Sequence, residues 1–154
     1  MYKRQVGIVW DDMNIYPERH GFGFIAAKTQ EKGKDLYWPA LRRISDKLKL
    51  NWKFKNKANE IITQYNTIKM ISLKDRATCE IAQGMPTKFV ALDEPQNILN
   101  HVLFYFLDEI VGPRLVDFRP KSCIRIMANP CSYPNPKLEK LLTKPHHQLS
   151  LIHI

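Results

Sequence analysis

Two hydrophobic periods alternate along this chain. The apolar run Phe22–Ala27, "FGFIAA", predicts a short buried strand after a loop broken by Pro17 and Gly21. Leu36, Tyr37, Ala40, Leu41, Ile44 and Leu48 then fall on one helical stripe. Thr29 stands where an N-cap belongs, and Pro39 predicts a kink or a fresh helical start. "EIITQYNTIKMISL" switches to strand chemistry, and the Asn66-Thr67 pair inside it predicts a β-hairpin turn. Phe89, Val90, Ala91 and Leu92 form a continuous apolar run, which fits a strand buried on both faces. "NILNHVLFYFLDEIVG" predicts a helix ending near Gly112, "CIRIMANP" a strand stopped by Pro130, and "NPKLEKLL" a short helix beginning near Pro136. The order is strand, helix, hairpin, strand, helix, strand, helix, which predicts an α/β layered fold with a mainly parallel sheet.

Charge changes that picture by giving the fold a basic side. The 154 residues carry a net charge of +9, and the stretch from Lys28 to Lys57 holds ten Lys and Arg against Glu31, Asp35 and Asp46. Such clustering is the footprint of a polyanion binder, and equally of a solvated helix face. Arg42, Arg43 and Lys47 are its candidate nucleic-acid contacts. No apolar run is long enough to span a bilayer. Cys79, Cys123 and Cys131 are an odd set without regular spacing, which suggests a reducing compartment rather than a disulfide scaffold. Cys123, Cys131, His146 and His147 fit no common zinc spacing. Arg114 has two readings, a phosphate or subunit contact and an ordinary surface arginine. Trp38, Phe104, Tyr105 and Phe106 follow helical spacing and are expected in the core rather than stacked on bases.

The chemistry concentrates in "KFVALDEPQ". A buried strand there delivers Asp93 and Glu94 at its carboxyl end, the edge where open α/β sheets bind ligands. Asp93 is the candidate Mg²⁺ residue, since Mg²⁺ takes oxygen ligands and keeps several waters. Glu94 is the candidate catalytic carboxylate, placed to orient and polarise an attacking water. This is a Walker B pattern, although four apolar residues before Asp-Glu also occur wherever a strand exits into solvent. No GxxxxGK[ST] phosphate loop occurs in the sequence.

In order and wording, the motifs from Phe22 to Leu142 resemble the N-terminal ATPase domain of the large terminase subunit of tailed bacteriophages. "FGFIAAKTQEKGKDLYWPALRRI" looks like that family's second core strand and following helix, "EIITQYNTIKMISLKD" like its hairpin, and "EIAQGMPTKFVALDEPQ" like the approach to Walker B. "FLDEIVGPRLVDF" resembles the next helix, and "CIRIMANP" the strand ending in the coupling motif. The resemblance implies a P-loop NTPase-like sheet with an inserted hairpin, lacking the P-loop strand, and ATP with Mg²⁺ as ligands. It implies Asn129 as a γ-phosphate-sensing coupling residue; a turn residue before Pro130 is the other reading. It further implies double-stranded DNA, a small terminase subunit and a portal protein as partners, a homo-oligomeric parent, and the cytoplasm of an infected bacterium. Without a Walker A motif, the chain alone is expected to be inactive. Two other functions fit the residues: a non-catalytic basic α/β module that binds nucleic acid, and another DExx-box ATPase such as a helicase.

The ends carry a separate signal. Leu149 to Ile154 can be encoded CTG-TCT-CTT-ATA-CAC-ATC, whose reverse complement contains GTG-TAT-AAG-AGA-CAG, a reading of Met1 to Gln5 when GTG serves as start. That inverted pair resembles the transposase end used to fragment DNA for sequencing. Residues 1–5 and 149–154 are therefore expected to be adapter-derived and 6–148 to be a partial ATPase domain. Few contacts are expected for either end.

Overall fold

The computed structural model describes residues 3–128, 136 and 149–153. Helix α1 (Lys3–Asn14) leads to β1 (Gly21–Ala27) and α2 (Gln30–Leu48). Three strands follow: β2 (Lys53–Lys55), β3 (Glu60–Ile62) and β4 (Asn66–Ser72). The short α3 (Arg76–Cys79) precedes β5 (Thr87–Asp93). Helix α4 (Asn100–Tyr105) runs through a π-helical stretch, Phe106–Val111, into α5 (Gly112–Leu115), and β6 (Cys123–Ala128) and β7 (Leu149–His153) complete the order.

The strands form one sheet in the order β2-β3-β4-β1-β5-β6-β7. β4, β1, β5, β6 and β7 run parallel, while β3 is antiparallel to β4 and β2 to β3. This is the predicted mainly parallel α/β sheet. The hairpin is woven into it, because its second arm, β4, is the parallel neighbour of β1. Side chains alternate across the sheet and build two cores. On one face Ile25, Ile68, Met70, Phe89, Ala91 and Met127 meet Ile8 and Val9 of α1 and Tyr37, Trp38 and Leu41 of α2. On the other, Phe24, Ile71, Val90, Leu92, Ile124 and Ile126 meet the helical run from Val102 to Leu115. The centre tolerates no extra atom at Gly23, where a Cβ would lie 2.0 Å from Cζ of Phe89.

Several sequence expectations shift in register. Ile62 pairs with Thr67, so the hairpin turns at residues 63–65, and Asn66 and Thr67 belong to β4. The Thr63 hydroxyl explains the earlier turn: its Oγ1 accepts the N–H groups of Tyr65 (3.1 Å) and Asn66 (2.8 Å). Helix α2 runs unbroken through Pro39. Pro39 is exposed, and so is Asp35, whose carbonyl loses its helical donor there. The buried stripe is Gly33, Tyr37, Trp38, Leu41 and Ser45, while Leu36 and Leu48 are exposed. Thr29 occupies the N-cap without a side-chain bond. Gly112 is helical, so the helix continues past it to Leu115. Trp38 and Phe106 are buried and Phe104 and Tyr105 pack against the core, as expected.

The expectation of few contacts at the ends is corrected. Residues 149–153 pair with β6 from Ile124↔Leu149 to Ala128↔His153. The outer edge of β6 presents main-chain donors and acceptors that any parallel strand can satisfy. At the other end, Lys3 to Gln5 belong to α1 and Gln5 is buried. The expected helix from "NPKLEKLL" lies outside the described residues apart from Pro136.

Helix α1 is held by polar groups that periodicity does not reveal. Asp11 is paired with both Nε and Nη2 of Arg125 on β6. Asp12 is fully buried; its Oδ1 accepts from Thr63 Oγ1 (3.0 Å) and Asn66 Nδ2 (2.7 Å). Asp12 Oδ2 and Asn66 Oδ1 have no hydrogen-bond partner among the described residues. Burial pushes the Asp12 carboxyl up from 3.8 to about 6, opposed by its bonds to Asn66 and Thr63 and by the charge of Lys88. A folded value above the unfolded one means that the native state holds this proton more tightly. The stabilisation is fully present below 3.8 and is lost as pH rises through about 6. Two pKa units correspond to on the order of 3 kcal/mol. Asp12→Asn is expected to remove this component. Urea unfolding of both proteins at acidic and neutral pH should show the wild type losing ground to the variant as pH rises; a constant difference would count against it.

Candidate active site at the carboxyl edge of the sheet

β5 is apolar because both its faces are covered. Phe89 and Ala91 point into the α1/α2 core, and Val90 and Leu92 into the opposite one. The same alternation carries Asp93 to the α2 side, where the strand leaves the sheet and a carboxylate regains access to water. Asp93 is half-buried and pairs with Met127 of β6. Its Oδ1 accepts a 2.9 Å hydrogen bond from the Tyr37 hydroxyl, which also lies 3.5 Å from Met127 Sδ.

Glu94 follows in a left-handed conformation, φ 46° and ψ 56°. Its N–H donates to the Met127 carbonyl at 2.8 Å, which ties the turn to β6, and its Oε2 accepts from Asn97 Nδ2 at 3.0 Å. The two acids are thus consecutive at the strand end, where Asp93 is level with Met127 of β6. Asn129 is the next residue in sequence but lies outside the described residues, as do Cys131, His146 and His147.

The donor set suits a hard cation. Mg²⁺ is usually held by one or two carboxylates together with waters and substrate phosphates. No cluster of three or more His, Cys, Asp or Glu that could hold a metal occurs among the described residues. Cys123, half-buried against the α1/α2 core, keeps its proton: burial and then the neighbouring Asp11 push its thiol up to about 12.

Arg42, Arg43 and Lys47 are exposed on α2. Arg42 stacks 4.8 Å above the ring of Phe54 on β2, so its guanidinium packs as well as displaying charge. Lys34 on the same helix donates to the Asn56 carbonyl at 2.8 Å. These contacts fasten the helix to the edge of the sheet. Arg114 is exposed on α5. The site partners that the sequence did not mark are Tyr37 and Asn97. A tyrosine in a largely apolar buried stripe was the available signal for the first, because a buried phenol usually finds a partner.

These features define a three-layer α/β domain with paired carboxylates at the carboxyl edge of a mainly parallel sheet. The ATPase domains of phage large terminases have this fold. The large terminase of a thermophilic bacteriophage superposes with a TM-score of 0.72 over 97% of this chain and 36% of its own, at 16% identity. The same enzyme in complex with ATP-gamma-S gives 0.67 over 98% of this chain and 35% of its own, at 14% identity. The large terminase ATPase domain of Thermus phage P74-26 gives 0.64 over 99% of this chain and 70% of its own, at 14% identity. The chain thus spans about a third of the first of these proteins. No protein-family model matches the sequence, and no curated protein matches it in sequence. The resemblance noted in the motifs therefore holds at the level of the fold.

The backbone at Glu94 carries a cost, since a non-glycine residue in this region is strained by about 1 kcal/mol or more. Glu94→Gly should relieve it. The lost Asn97 bond and the entropy cost of glycine are of similar size to that relief, so chemical denaturation is expected to show a net change within about 1 kcal/mol. A destabilisation of about 2 kcal/mol or more, the two costs with no relief against them, would argue against strain at this position.

Proposed function

We propose that this chain is part of the ATP-hydrolysing motor of a large terminase, the machine that moves double-stranded viral DNA into a capsid, with residues 6–148 as the motor segment. The observation that carries the reading is the pair Asp93–Glu94 at the carboxyl end of a doubly buried parallel strand, in a fold shared with terminase ATPase domains. Asp93 would hold Mg²⁺ and Glu94 would serve the attacking water. When bound, the ion supplies positive charge to the phosphate oxygens. Asp93 contributes the negative charge that keeps such an ion at the strand end. Glu94 orients the water and accepts its proton, the positioning that phosphoryl transfer asks of a protein. Asn129, one residue beyond β6, would sense the γ-phosphate, its amide able both to donate and to accept.

In the complete terminase, Asp93→Asn should chiefly weaken engagement of Mg²⁺–ATP. Glu94→Gln should keep nucleotide binding and lose about 10²–10⁴-fold in turnover. Measured ATP affinity and hydrolysis separate the two, and near-normal hydrolysis by Glu94→Gln would exclude its catalytic role.

The basic stretch supports a nucleic-acid contact on α2. Replacing Arg42, Arg43 and Lys47 with neutral residues should weaken duplex binding regardless of sequence. Every phosphate that is no longer neutralised lowers the slope of log K against log salt by about 0.9. An unchanged slope in a salt titration would return these residues to a solvated face. Duplex binding without any ATP turnover in the complete protein would favour the non-catalytic module instead.

A further inference from the structure

We propose that Tyr37 is a positioning residue, holding the Asp93 carboxylate in a fixed orientation for a divalent cation. The inference rests on the reading of Asp93 as the metal-holding carboxylate and adds the group that prepares it.

Tyr37 stands on the inner stripe of α2 and is fully buried. A phenylalanine would fill the same volume, so the hydroxyl is an added polar atom in an apolar core, costly unless it is bonded. Among the described residues, Met127 and Asp93 offer it acceptors. The Met127 thioether, at 3.5 Å, is a weak one. Asp93 Oδ1, at 2.9 Å, offers a charge-assisted bond, roughly twice as strong as a neutral one. The phenol proton therefore belongs to Asp93.

The consequence follows from how a carboxylate moves. An aspartate at a strand end can turn about its Cβ–Cγ bond, and each orientation presents its oxygens differently. Fastening Oδ1 to a phenol that is itself locked between α2 and the sheet removes that freedom. Carboxylates that ligate metals are in turn hydrogen-bonded, and loss of such supporting groups typically weakens metal binding about 10–100-fold. The ring itself is set by its packing in the α1/α2 core, so the orientation of Asp93 is inherited from the fold.

The test uses Mn²⁺ as the probe, with free ion counted by electron paramagnetic resonance as it is titrated into the 154-residue chain. Wild type, Tyr37→Phe and Asp93→Asn are compared, and a thermal melt is recorded for each. Tyr37→Phe is expected to raise the Mn²⁺ dissociation constant about tenfold or more while its melting temperature stays near that of the wild type. Asp93→Asn should abolish the site. If Tyr37→Phe binds Mn²⁺ like the wild type while Asp93→Asn does not, the positioning role is overturned and the reading of Asp93 stands. If Asp93→Asn also binds like the wild type, both fall.

Should Tyr37→Phe not fold, the wild type itself supplies the measurement. With ¹³C-labelled tyrosine, Mg²⁺ should shift the Tyr37 Cζ resonance in the wild type and leave it unmoved in Asp93→Asn, because the carboxylate is the route between them. A wild-type resonance that ignores Mg²⁺ overturns the proposal.

Discussion

A strand covered on both faces can carry polar groups only at its ends, and this constraint on β5 organises the molecule. Phe89 to Leu92 are fully buried because helices lie over each face. Charge appears immediately outside that run. At one end Lys88 is also fully buried, its Nζ donating to the Tyr16 carbonyl at 2.7 Å and lying 5.5 Å over the ring of Phe118; desolvation pulls its pKa down. At the other end Asp93 and Glu94 emerge half-buried. The lysine is enclosed by its own bonds, whereas the carboxylates stand where the sheet opens. The contrast in enclosure leaves the carboxyl edge the more accessible one.

Helix α2 serves both faces of that design. Its inner stripe reaches the site through Tyr37, and its outer surface displays Arg43 and Lys47 and stacks Arg42 on Phe54. Gly33 lets the helix approach closely: a Cβ there would sit 2.7 Å from Met70 Sδ and 3.2 Å from Ala27 Cβ. The short distance between helix and sheet brings a phenol on one to a carboxylate on the other. One element thus combines packing, site geometry and a basic exterior, and changes on its inner stripe and on its outer surface should be read separately.

The parts of the fold that depend on local pattern were legible in the sequence. The continuous apolar run before Asp93 gave a doubly buried strand, and the 3.6-residue stripe gave α2, although rotated so that Leu36 and Leu48 face solvent. The hairpin was visible as two β-rich runs, but Asn66 looked like a turn residue on propensity. Its amide is instead buried against Asp12, a partner 54 positions away. Helix α1 escaped notice for a related reason: two of its inward residues, Asp11 and Asp12, are charged, and what secures them is Arg125, Thr63 and Asn66. The position of the two acids was legible because the apolar run before them marks where the strand leaves its cover. Tyr37 was not, since a partner 56 positions away leaves no spacing to read; Asn97 bonds Glu94 locally, three residues on.

The outer margin of β6 has a consequence of another kind. Residues 149–153 occupy it through main-chain pairing, from Ile124↔Leu149 to Ala128↔His153. Main-chain pairing reads direction and extension, and is indifferent to which side chains arrive. Such a margin behaves as a socket, and its occupancy is settled by competition. A segment on the same chain enters at an effective concentration on the order of millimolar. Any other parallel strand must exceed that to displace it, so the segment beside β6 is decided as much by what is tethered nearby as by how well it fits.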